Sequence, residues 1–208
     1  MICPLCLSRT KIQNLESVGR NYFLCEQCNL IFTDTKVSLN NISGDKPYIL
    51  KAYGQHINSV LRFLYKEFTP SKKVLDYYCG KDPIIPFALE PTGVTCDAYD
   101  PAHSNIEIKP PYDFIFATRC FENFFFPAKE IKYLKSLLNP DGYLILMSER
   151  WKRPLSSDMI NNLKKKKSIN IYHENTMEYI CQKFGFETIV TDDSPLIVLQ
   201  NKEVSVYE

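Results

Sequence analysis

Glycine is scarce in this chain, with 7 among 208 residues against 13 prolines. Only Gly80 follows an expected strand in a loop suited to a nucleotide. One glycine does not make the dinucleotide fingerprint, which argues against a nicotinamide dehydrogenase. Histidine is scarcer still, at three. His56 and His103 sit in no recognisable motif, and His173 precedes the last expected helix as a cap-region residue. No histidine-based metal set or nucleophile–base pair can therefore be located. An excess of one charge is missing too: 25 basic residues face 24 acidic ones, for a net charge of +1. Such a balance gives no global field toward nucleic acid or an anionic membrane. No apolar run approaches the roughly 20 residues that span a bilayer. The first residues lack the basic and apolar regions of a secretory leader, so a cytoplasmic location is expected.

What is present is 45% hydrophobic and 13% aromatic residues, enough for one ordinary core and a small appendage. Of the 8 cysteines, four form two pairs, Cys3-Pro4-Leu5-Cys6 and Cys25-Glu26-Gln27-Cys28, eighteen residues apart. Two such knuckles can set four thiolates around one tetrahedral Zn²⁺ in a closed, structural site. A redox dithiol needs only one such pair, set on a helix after a strand. The remaining Cys79, Cys96, Cys120 and Cys181 are scattered and read as reduced thiols. Short strands are expected at residues 11–15, 22–24 and 30–32, with Gly19 in the first connection. Arg9, Lys11 and Arg20 are the basic residues near the knuckles, few for a nucleic-acid surface. The expected division is a zinc ribbon over 1–34, a polar linker over 35–47 and an α/β domain over 48–208.

In that third segment strands and helices alternate. Apolar residues recur at helical spacing from Leu50 to Phe68, stopped at Thr69-Pro70. Strands are expected at 73–78, 94–100, 112–118 and 143–147, the last two almost wholly apolar, as strands covered on both faces should be. A short helix is expected over 83–90 and a longer one over 127–138, ended by Asn139-Pro140-Asp141-Gly142. Met177, Ile180, Cys181 and Phe184 mark a last helix, stopped by Gly185. Strands near 187–191 and 195–200 form an edge hairpin. The alternation predicts a doubly wound, mostly parallel sheet with a ligand crevice at the carboxyl ends of its strands.

Three segments resemble class I S-adenosylmethionine-dependent methyltransferases, specifically the small bacterial type with an N-terminal zinc ribbon. They are Val74-Leu75-Asp76-Tyr77-Tyr78-Cys79-Gly80-Lys81-Asp82-Pro83, then Ala98-Tyr99-Asp100-Pro101, and the stretch from Thr118-Arg119-Cys120-Phe121-Glu122-Asn123 through Leu138-Asn139-Pro140-Asp141-Gly142 to Met147. The resemblance covers nearly the whole chain and implies a Rossmann-like methyltransferase fold. It also implies S-adenosylmethionine as cofactor, Zn²⁺ as a structural metal, and methyl transfer to an unidentified small-molecule or macromolecular acceptor.

The same resemblance assigns cofactor contacts to Asp76, Tyr78, Gly80, Asp100, Thr118 and Arg119, and metal ligation to Cys3, Cys6, Cys25 and Cys28. Glu122 and Asn123 are the candidates for a catalytic role. Each has a plainer alternative: Asp76 as a turn or cap residue, Asp100 as the start of an Asp-Pro turn, Glu122 as a helix cap. The chain also departs from the family pattern. Tyr78 and Asp82 stand at glycine positions of the loop, Asn123 stands for a histidine, and Ser168 aligns with a second histidine. A side chain at Tyr78 costs on the order of 1 kcal/mol if its φ must be positive. If Asp82 caps the helix after the loop, Pro86 shortens it. These departures support two other readings: a non-catalytic binding or scaffold protein, or a zinc-ribbon nucleic-acid binder in which the run Lys164 to Lys167 steers an anionic partner.

Overall fold

The computed structural model describes residues 1–9, 12–15, 21–35, 46–104, 106–118, 120–155, 168–191 and 195–202. Most of the expected linker, the turn at Gly19, Lys11, Arg20, Arg119 and the run Lys164 to Lys167 lie outside these residues.

Two sheets organise the chain. The larger has six strands in the order β5-β4-β6-β7-β10-β9. Its members are β4 (Lys73–Tyr77), β5 (Thr95–Tyr99), β6 (Tyr112–Ala117), β7 (Leu138–Met147), β9 (Phe186–Thr191) and β10 (Leu196–Asn201). β5, β4, β6 and β7 run parallel, while β10 is antiparallel to both β7 and the edge strand β9. This is the doubly wound, mostly parallel α/β sheet that the alternation predicts. From β4 the chain steps one way to β5 and then back across to β6. The strand order thus reverses at β4, and the crevice of such a sheet opens above that point.

Helices cover both faces. α1 (Lys46–Phe63) and α2 (Ile85–Leu89) pack on one side, where Ile57, Val60, Ile85 and Leu89 meet Val74, Phe114, Phe116 and Ile145. α3 (Pro127–Ser136) and α4 (Glu174–Phe184) cover the other through Ile131, Leu134, Met177 and Ile180. The periodicity that predicts α1 as far as Phe68 holds to Phe63. Leu64 and Phe68 stay buried beyond it, carried by a turn. Asp82 does not cap α2. The cap position is Ile84, and Pro86 sits in the first turn, where its missing N–H would have had no partner. α4 starts at a capping box between His173 and Thr176 and ends at Gly185, whose φ of 70° closes the helix in the left-handed conformation.

The smaller sheet joins β1 (Ile12–Leu15), β2 (Tyr22–Cys25) and β3 (Ile31–Thr33) to β8 (Asn170–Ile171), which lies just before α4. A strand contributed from residue 170 thus completes a sheet begun at residue 12. Cys3, Cys25, Cys28, Leu30 and Phe32 share one buried cluster with Tyr172, Met177 and Ile180.

Candidate functional site

The loop after β4 is bent by two left-handed residues, Tyr78 at φ 56° and Gly80 at φ 74°. Glycine takes this conformation freely, whereas a tyrosine does so at a cost of about 1 kcal/mol. Hydrogen bonds to the end of β5 hold the bend: the Cys79 N–H donates to Tyr99 O at 3.1 Å and the Gly80 N–H to Asp100 Oδ2 at 2.9 Å. Asp100 Oδ1 accepts from the Ala102 N–H and from His103 Nδ1, both at 2.9 Å. Burial alone pushes the Asp100 carboxyl up, but hydrogen bonds from Ala102, His103 and Gly80 outweigh it and hold the group below the usual carboxylate range. With two acceptor sites on each oxygen, Oδ1 is filled and Oδ2 keeps one. Among the contacts of the described residues, Asp100 thus has room to accept one further hydrogen bond. Asp76, at the end of β4, is 3% exposed.

Around the bend stand four tyrosines. Tyr77 and Tyr99 lie nearly parallel at 5.6 Å between ring centroids, and Tyr78 stands across both, at 4.8 Å from Tyr77 and 6.2 Å from Tyr99. Tyr133 of α3 approaches Tyr77 at 6.2 Å. The Tyr77 hydroxyl donates to Glu130 Oε2 at 3.1 Å. Burial, with the Glu130 charge second, pushes the Tyr78 phenol up to about 12. It remains a neutral ring throughout the physiological range. Tyr99, Tyr133 and Glu130 carry no sequence signal, because strand order and the turn of α3 bring them together. His103 alone had a cue, three residues beyond Asp100.

At the end of β6, Thr118 is buried and Cys120 Sγ donates to Tyr77 O at 3.5 Å across the switch point. Arg119 lies outside the described residues. Glu122 falls in a single turn of 3₁₀ helix, Phe121–Asn123, and its carboxylate is committed. Oε1 accepts from Ser148 Oγ at 2.9 Å and the Glu149 N–H at 3.1 Å, while Oε2 accepts from Ser168 Oγ at 2.7 Å. Ser168 is therefore a direct partner of Glu122. Asn123 is half-buried, and its N–H donates to Cys120 O.

The four N-terminal cysteines converge. Their sulfurs lie within 4.8 Å of one another, with Cys3 and Cys28 at 3.7 Å and Cys6 and Cys25 at 3.5 Å. A tetrahedron with Zn–S bonds of about 2.3 Å has edges of about 3.8 Å, so the set fits that ion. The two knuckles repeat one geometry: Leu7 and Asn29, each following its second cysteine, are left-handed. Their N–H groups donate to Cys3 O at 3.0 Å and Cys25 O at 2.7 Å. Hydrogen bonds from Cys28 and Cys3 favour the Cys25 thiolate, and the same contacts push the Cys3 and Cys28 thiols up. Thiols this close resist joint ionisation, and a divalent cation relieves that conflict.

β8 links this cluster to the crevice. On one edge it pairs with β3, and on the other the Ile169 N–H donates to Glu122 O at 3.0 Å and Asn170 Nδ2 to Phe124 O at 2.5 Å. Tyr172 stacks on Phe121 at 4.1 Å and donates to its carbonyl. The second knuckle is tied down as well, with Trp151 Nε1 donating to Asn29 O at 2.9 Å and Arg153 Nη2 to Asn29 Oδ1 at 2.6 Å. No described helix is long and apolar enough to cross a membrane.

Residues 50–191 match a family described as a methyltransferase domain. Among solved structures, the magnesium protoporphyrin IX methyltransferase of Synechocystis PCC 6803 with bound SAH superposes at a TM-score of 0.56 and 17% identity, covering 77% of this chain and 91% of that one. Its form with bound SAM gives 0.52 and 16%, over 78% and 89%. The pyocyanin biosynthetic protein PhzM gives 0.56 and 12%, over 73% and 56%. At these identities the likeness is one of fold. No curated protein matches by sequence.

Proposed function

The chain belongs to the methyltransferase-domain family, and from that premise we propose that it is a class I S-adenosylmethionine-dependent methyltransferase carrying an N-terminal zinc ribbon. The observation behind this reading is the bond between Gly80 and Asp100, which fixes a left-handed loop at the carboxyl ends of two parallel strands beside the switch point. The backbone at Tyr78 and Gly80 takes the left-handed bend that glycine favours, and Asp100 lies beside it. These features fit the nucleoside end of the cofactor. By the family resemblance, the loop would approach the methionine end of the cofactor, where this chain carries the Tyr78 ring.

When bound, the cofactor supplies a methyl group on a positively charged sulfur already activated for displacement. The protein's task is then chiefly positioning. Asp76, Gly80, Asp100 and Thr118 would bind and orient the cofactor. Glu122 holds the loop after β6 against β7 and β8 through Ser148, Glu149 and Ser168, so it positions that wall and is not assigned acid–base work. Transfer to the acceptor's nucleophile would break the sulfur–methyl bond and leave a neutral thioether, and a proton on that nucleophile would pass to solvent. Cys3, Cys6, Cys25 and Cys28 would hold Zn²⁺ in a closed site without a catalytic position.

Titration calorimetry with S-adenosylmethionine tests the reading. Saturable heat is expected, and none at millimolar ligand with folded protein would overturn it. A second reading, a binding protein that has kept the fold without transfer, is favoured by the Tyr78 side chain in the loop and by the committed Glu122 carboxylate. Methylated product formed by the wild-type chain would exclude it.

A further inference from the structure

The tyrosine in the loop is more than a tolerated substitution. Its backbone stays left-handed, at φ 56°, and its ring stands across both Tyr77 and Tyr99, which lie nearly parallel to each other. Packing on two rings fixes the Tyr78 side chain, so whatever runs along the loop meets an aromatic surface in one orientation. Two carboxylates lie near it, held by its neighbours. Glu130 accepts from the Tyr77 hydroxyl, and Asp100 holds the next residue but one in the loop. Both charges act on the Tyr78 phenol. An aromatic face in an acidic setting attracts a cation and gives a neutral group of the same shape much less.

Resting on the function proposed above, we infer that Tyr78 is a specificity-determining residue that favours the positively charged cofactor over its neutral demethylated product. A bare glycine backbone offers no such face. The tyrosine would therefore favour exchange of spent product for fresh cofactor in a loop that has lost two of its glycines.

The test measures binding of S-adenosylmethionine, S-adenosylhomocysteine and sinefungin by calorimetry. Sinefungin carries an ammonium where the cofactor carries its sulfonium. Wild-type protein should bind the two cations about tenfold more tightly than the neutral product, the range of a partly desolvated cation–π contact. Tyr78→Phe keeps the ring and should keep that ratio. Tyr78→Leu should bring it to within about twofold of unity, with less change in affinity for the neutral ligand. Circular dichroism and melting establish that each variant is folded. If the folded wild type binds none of the three, the methyltransferase reading fails and this inference with it. If all three bind and Tyr78→Leu leaves the ratio unchanged, the inference alone fails. Tyr78→Gly supplies a second variant without backbone strain, should Leu prevent folding, and is expected to lose the preference in the same way.

Discussion

Asp100 accepts the amide of Gly80 at 2.9 Å, joining the end of one parallel strand to the loop that leaves its neighbour. The bond makes a loop with little glycine keep a glycine-type bend, since the carboxylate holds the backbone where side-chain sterics alone would not.

That carboxylate sets a pH dependence. Its folded pKa lies below the unfolded value, so the stability it adds is fully present above the ordinary aspartate range near 4 and is lost as pH falls through the lower folded pKa. Asp100→Asn should destabilise the protein by about 1 kcal/mol or more at pH 7. The gap from wild type should shrink in acid unfolding curves below about pH 4. A gap that persists at lower pH would mean the bonds do not depend on charge.

Glu122 anchors the wall after β6. Glu122→Ala strips the partner from Ser148, Ser168 and the Glu149 amide and should cost about 2 kcal/mol or more in denaturant titrations. Glu122→Gln keeps an acceptor and should recover part of that. Were Glu122 a base, Gln would abolish turnover while leaving stability untouched.

The ribbon and the larger sheet should unfold together. One zinc per chain is expected by elemental analysis. Because β8 completes the ribbon's sheet and the cysteines share a core with Met177 and Ile180, Cys28→Ser should lower the whole melting transition. Binding energies near 10 kcal/mol are at stake in comparable zinc peptides. A separate early transition with an unchanged main one would show the two parts independent.

Trp151 tests the seam between knuckle and sheet. Trp151→Phe keeps most of the apolar volume but removes the donor to Asn29 O, leaving a buried acceptor. A loss of about 1–3 kcal/mol is expected by denaturant titration. A smaller loss of metal affinity should follow, read by chelator competition.

Gly142 is a matter of space. A Cβ there would stand 3.0 Å from Asn139 O and 3.1 Å from Asp113 O, both backbone atoms that cannot swing away. Gly142→Ala should destabilise by about 1–3 kcal/mol in thermal or urea melts. Neutrality would mean that the start of β7 can shift.

How much was legible follows from how local each feature is. The knuckles were, because each is a short turn closed by its own hydrogen bond from Leu7 or Asn29. The parallel sheet was, because buried strands such as β6 and β7 are continuous apolar runs and Gly185 marks where a helix must stop. The start of β7 was legible only in part: the strand begins at Leu138, but Asn139-Pro140-Asp141-Gly142, with the composition of a turn, falls in the register shift between Leu138 and Tyr143 and carries the left-handed Asp141. β8 escaped notice because two residues carry no periodicity.

By itself the sequence determined which residues are available: four cysteines at knuckle spacing, acids at the ends of β4 and β5, a tyrosine two residues before Gly80. Only the tertiary structure decided what they touch. The lateral order of the strands set Asp100 against Gly80, and β8 between the ribbon and Phe121 and Glu122. It also gathered Tyr77, Tyr78, Tyr99 and Tyr133, from two strand ends and a helix, into one cluster. The reason is physical: turns and caps close over a few residues, whereas strand neighbours and side-chain partners are chosen by how apolar faces pack across the whole fold.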